Sequence, residues 1–128
     1  MPPAGLTAKR DHRTRVFVAV EPRAYGTSFG RAIAVLRPQV EVTILEPGAL
    51  EAAVAWLEPE LVISNLPKPA GSADRIAWLE YRSCDEASAD VCVGGRRTLI
   101  ENPGLDDLLS VVDQAGGLAG SEISERPP

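Results

Sequence analysis

Residues 59–69 read PELVISNLPKP, and the apolar run Leu61, Val62, Ile63 stops at two small polar residues before a loop punctuated by Pro67 and Pro69. A run without alternation has no polar face to turn to water, so it reads as a strand covered on both sides, as in a parallel sheet flanked by helices. Residues 16–20, VFVAV, repeat the pattern. Strands of this kind deliver the residues at their C-terminal ends to the edge where open α/β sheets bind ligands. Glu21 and Asn65 occupy those ends.

Between the two runs, Tyr25, Phe29, Ala32, Ile33 and Leu36 fall at three- and four-residue spacing, which predicts a helix with one buried face, ended by Pro38. Gly26 and Gly30 weaken it by about 1 kcal/mol each relative to alanine. Val40, Val42 and Ile44 alternate with Glu41 and Thr43, as in an edge strand. Glu46-Pro47 predicts a cap and first-turn proline, and Leu50, Ala53, Val54 and Leu57 a second helical stripe closed by Pro59. Right-handed crossovers then place the first strand between the other two in a parallel unit.

Beyond Asn65 the pattern changes. The 10 residues before Ile76 include Pro67, Pro69 and Gly71 and leave no room for a crossover helix. Residues 76–82 alternate as a strand with one less buried face, residues 83–89 are again too short for a helix, and residues 90–93 and 97–100 flank Gly94-Gly95-Arg96, suited to a hairpin turn. An antiparallel meander appended to a parallel core is the expectation. Asn102-Pro103 is expected to cap a last helix with Leu105, Leu108, Leu109 and Val112 inward and Gly116 as its stop.

The first and last helices are placed on one face of the sheet, with the second alone on the other. Apolar surface is therefore expected there, with Ile76 and Trp78 at its centre as a homodimer interface. The alternative is that residues 67–74 fold back and keep Trp78 in the chain's own core. Arg96 and Arg97 are expected to discourage open-ended pairing at the outer hairpin strand, which favours a closed dimer.

The length of 128 residues suits one domain, placed at residues 15–115, with the Pro-, Gly- and charge-rich residues 1–14 and 116–128 as disordered tails. A net charge of −5 argues against nucleic-acid binding. The Lys9, Arg10, Arg13, Arg15 cluster reads as a solvated arm, with phosphate contact as the alternative. No apolar run approaches the roughly 20 residues of a membrane helix, and no signal-peptide core is present, so a cytoplasmic chain without membrane contact is expected. Cys84, Cys92 and His12 supply neither a redox motif nor a zinc set, and both cysteines are expected to be reduced.

Residues 15–69 resemble the first three strands of response-regulator receiver domains, and residues 102–115 their terminal helix. The resemblance implies a flavodoxin-like, three-layer α/β sandwich in which some receiver helices are missing. It places the family's acidic pair at Val20-Glu21 and its phosphoacceptor aspartate at Asn65. Ser83 is the nearest match to the family's hydroxyl residue, and Arg96 or Arg97 to its lysine. Magnesium needs carboxylate oxygens in octahedral geometry, and of the family's three carboxylates only Glu21 remains. An amide cannot be the nucleophile that forms an acyl phosphate. Lys68 is placed to pair with Glu21 where the metal would sit.

The expectation is therefore a degenerate receiver-like domain: no enzyme, no cofactor, no metal, acting as a phosphorylation-independent protein-interaction or regulatory module with a second copy or another protein as partner. One alternative is a small-ligand binder using the strand-edge crevice at Glu21, Arg23, Ser64, Asn65 and Lys68, with Ser83 nearby. The other is a purely structural homodimerisation domain.

Overall fold

β1 (Thr14–Ala19) buries Val16, Phe17, Val18 and Ala19 in succession, as its lack of alternation requires. The computed structural model describes residues 14–69, 76–82 and 87–124, with side chains to residue 117. Helix α1 (Arg23–Leu36) follows β1, then β2 (Val40–Ile44), a short 3-10 turn at Pro47–Ala49, α2 (Leu50–Leu57) and β3 (Leu61–Ser64). The chain continues through β4 (Ala77–Arg82), β5 (Ser88–Val93), β6 (Arg96–Glu101) and α3 (Leu105–Ser124). Residues 1–13, with Lys9, Arg10, His12 and Arg13, and residues 83–86, with Ser83 and Cys84, lie outside the described part.

The strands form one mixed sheet in the order β2-β1-β3-β4-β5-β6. β1 lies between β2 and β3 with both pairings parallel, as the crossover rule predicts. β4 is also parallel to β3, so the parallel unit has four strands, and β4 then begins the antiparallel meander through β5 and β6. The chain is thus of the mixed α/β class.

Strand alternation sorts the core into two clusters. Val16, Val18, Val20, Leu61, Ile63 and Leu79 pack with Ile33 of α1 and with Leu108, Val111 and Val112 of α3. On the opposite face Phe17, Ala19, Val62, Ile76 and Trp78 pack with Leu50 of α2. The placement of α1 and α3 together, opposite α2, follows the expectation.

Trp78 and Ile76 correct it. They are only 5% and 7% exposed, so neither stands at the centre of an exposed patch. The Trp78 indole N–H donates to the Leu66 carbonyl at 2.7 Å, so the chain just after β3 turns back over the ring. Further along this face, toward β6, charged side chains follow. Glu80 and Arg82 continue the Trp78 side of β4, and Asp90 stands directly opposite Glu80 on β5.

Three local predictions also change. Asn102 is not the cap of α3: it adopts a left-handed backbone and donates its N–H to the Ala87 carbonyl. The helix starts after Gly104, whose N–H is accepted by the Asp107 carboxylate at 2.8 Å, half of a capping box. Nor does Gly116 stop α3 or begin a tail, because the helix runs on to Ser124. A Cβ at Gly116 would lie 3.0 Å from the Thr14 hydroxyl, so the glycine lets the helix pass close over the start of β1. The Gly94-Gly95 turn keeps its expected form, with φ of 60° and 82° as a two-residue hairpin requires.

Candidate functional site

The parallel strands end together, and there the sequence-predicted residues divide into those engaged by the fold and those facing out. β3 ends on Ser64, which is fully buried; its hydroxyl accepts the Leu66 N–H at 3.0 Å and shapes the turn that covers Trp78. Ser64 is therefore not presented to a ligand. Val20 is buried in the core cluster shared with α1 and α3.

Asn65 is half-buried and carries the arrangement. Its Oδ1 accepts the backbone N–H of Glu21, from the chain leaving β1. Its Nδ2 donates to the Tyr81 carbonyl of β4 at 3.0 Å. The side-chain amide thus continues the sheet one rung past the end of β3 and ties the flanking strands across it. Both functions of the amide are needed, and a carboxylate supplies only one of them.

Glu21 is exposed and precedes a cis Glu21–Pro22 peptide. Lys68 is half-buried, and the ion pair expected between it and Glu21 is not formed. Arg23, at the start of α1, instead reaches the loop after β2 and pairs with Glu46 at 2.6 Å, both side chains being well exposed. Such a pair contributes little to stability. A magnesium ion does not fit these residues: Val20 offers no side-chain oxygen, Asn65 Oδ1 is held by a backbone N–H, and Glu21 is the one carboxylate left for an ion with octahedral demands. Among the described residues no three His, Cys, Asp or Glu side chains converge on a point that could hold a metal.

Arg96 and Arg97 do not come near the place of a receiver lysine. Tyr81, whose carbonyl Asn65 engages, is level with Ala89 and Ile100, whereas Arg97 is level with Cys92 and Trp78, further down the sheet and three strands from β3. Arg15, grouped by sequence with a basic arm, is part of β1. Its guanidinium donates to the Leu57 carbonyl at 2.9 Å and caps the C-terminus of α2.

A charge cluster escaped the sequence reading. Glu80 and Asp90 face each other across β4 and β5, where like charges repel. Arg82 reaches Glu80 at 3.1 Å and Asp90 at 3.4 Å, and Arg97 reaches Asp90 at 2.5 Å. Hydrogen bonding to Glu80 raises the pKa of Arg82, and hydrogen bonding to Asp90 raises that of Arg97. The signal available was the Trp78, Glu80, Arg82 alternation; the pairing partner on β5 was not. Trp56, 84% exposed on α2, was also missed, because it lies off the Leu50, Ala53, Val54, Leu57 stripe. Comparison with protein-family models, with curated proteins and with solved structures finds no match to this chain.

Proposed function

We propose that this chain is a phosphorylation-independent, receiver-like module of flavodoxin-like descent that works in the cytoplasm by docking to protein rather than by catalysis. The observation that carries this reading is Asn65, which stands where the resemblance puts the phosphoacceptor and has its amide engaged on both sides, by the Glu21 N–H and the Tyr81 carbonyl. A nucleophile must be free to meet its electrophile, and an amide nitrogen delocalised into its carbonyl is not one. The parallel order of β1 to β4 and the division of helices between the two faces support the receiver-like part of the proposal. The ligand-binding alternative loses Ser64 and Asn65 from its crevice, since both are turned to internal hydrogen bonds.

Incubation with acetyl phosphate and magnesium, followed by intact mass measurement, tests the proposal. The expected result is an unchanged mass. An added phosphate that disappears in an Asn65→Ala variant overturns it.

A further inference from the structure

Among the described residues β6 is an outer strand that pairs only with β5, and all of its residues but Ile100 are exposed. The hairpin turn Gly94-Gly95 joins Val93 to Arg96. A two-residue turn closes on a hydrogen-bonded pair, and such pairs alternate along an antiparallel ladder. Arg96, Thr98 and Ile100 therefore turn their N–H and C=O groups to β5. Arg97, Leu99 and Glu101 turn theirs outward, away from the sheet. By the two-residue period, the side chains of these same three stand on the face of Glu80 and Asp90, where α2 does not reach. Leu99 is 58% exposed there, an aliphatic residue between two charges of opposite sign.

We propose that this edge binds the same edge of a second copy of the chain, antiparallel, about a two-fold axis at Leu99. The strand is complementary to itself in that register. Leu99 meets Leu99 of the partner subunit, while Arg97 meets Glu101 of the partner subunit and Glu101 meets Arg97 of the partner subunit. Each of these facing residues is one whose backbone groups point outward, so every pair exchanges both of its ladder hydrogen bonds. An axis midway between two residues would set outward against inward backbone groups, and an axis at Thr98 keeps the phase but sets Arg97 against Leu99 and separates the charges, so backbone phase and composition together favour the axis at Leu99. The bond from Arg97 to Asp90 survives, since a guanidinium has five N–H donors. The assembly closes as a dimer because each copy uses its β6 and leaves β2 at the far end of the joined sheet. This names the partner of the module proposed above and rests on that reading. It keeps the expected closed dimer but moves its interface from Ile76 and Trp78 to β6, where Arg97 takes part in the pairing.

Sedimentation of the full chain from about 1 to 100 μM, the range of small interfaces, is expected to show monomer and dimer only. Arg97→Glu and Glu101→Lys each set like charges opposite one another, and each alone is expected to raise the dimer dissociation constant at least about tenfold. An equimolar mixture of the two variants is expected to regain the wild-type constant, because the exchanged charges then face each other in a mixed dimer. Leu99→Pro removes only an outward N–H, so it is expected to keep the fold and lose the dimer. A monomer throughout the range, larger assemblies, or a mixture that stays monomeric while both variants melt as wild type each overturn the inference. So does a dimer indifferent to Leu99→Pro; that result leaves the docking module standing, with its interface elsewhere.

Discussion

Asn65 does with one side chain what a peptide unit does inside a strand: it accepts from one neighbour, the Glu21 N–H, and donates to the other, the Tyr81 carbonyl. Asn65→Asp keeps the acceptor and replaces the donor with an oxygen that repels the Tyr81 carbonyl. The variant is expected to lose about 1–3 kcal/mol at neutral pH, the range for a half-buried polar group left with a wrong partner. Repulsion favours the neutral acid in the folded state, raising its pKa above the unfolded value of about 3.9. The deficit relative to wild type is therefore full above the folded pKa and shrinks as pH falls through it, when the carboxyl regains a proton to donate. Urea melts of both proteins at about pH 7 and pH 4 read the difference. A deficit that is absent at neutral pH, or that grows on acidification, contradicts this role. That Asn65 sits at a strand end was legible from the run before it; that Tyr81 would be its partner was not, because the direction of β4 depends on a crossover with no helical signature.

At the scale of elements, α1 shows what a glycine signal leaves open. Gly26 and Gly30 count as helix-weakening by propensity, yet both are on the buried face. A Cβ at Gly30 would lie 2.7 Å from two Ile44 side-chain atoms, and one at Gly26 would lie 3.2 Å from the Val20 carbonyl oxygen. A side chain at Gly30 would have to displace that of Ile44, and one at Gly26 would have to push α1 slightly away from β1, so the glycines allow a close approach. Gly30→Leu is expected to destabilise by about 1–3 kcal/mol despite leucine's better helix propensity, because overpacking outweighs the intrinsic gain. A thermal melt at or above the wild-type midpoint would show that α1 can lift away without loss. The lower end of α1 is tied to α3 by Arg37, whose guanidinium meets Asp113 with two bonds at 2.8 and 2.9 Å. That hydrogen bonding lowers the Asp113 pKa, but its side chain is 52% exposed, and water screens most of the benefit. Apolar spacing alone located all three helices among the described residues. Ends were less legible, since Gly116 is a stop signal or a site of close approach depending on whether Thr14 lies beneath it.

For the molecule as a whole, the problem is a six-stranded sheet with, among the described residues, a single helix, α2, on one face. Counting helices gave their division between the two faces among the described residues, but not what lies beside α2. Near β3 the turn closed by Ser64 brings the Leu66 carbonyl onto the Trp78 indole, which both shields the ring and satisfies its N–H. Toward β6 the face carries Glu80, Arg82, Asp90 and Arg97 beside the exposed Leu99, and the mutual pairing of the four charged residues lets this part of the sheet meet water. This division separates the two tryptophans: Trp78 belongs to the core, and Trp56, 84% exposed, belongs to the solvent. Trp56→Phe leaves Trp78 as the only indole fluorophore. Its emission is expected to be blue-shifted and poorly quenched by iodide, while the component lost from the wild-type spectrum is red-shifted and readily quenched. Trp78→Ala is expected to cost about 3–5 kcal/mol, the range for truncating a large core aromatic, whereas Trp56→Ala is expected to stay within about 0.5 kcal/mol. Red-shifted, iodide-accessible emission from Trp78 in the Trp56→Phe variant would mean that the turn after β3 does not hold over the ring, and that this half of the sheet is open after all.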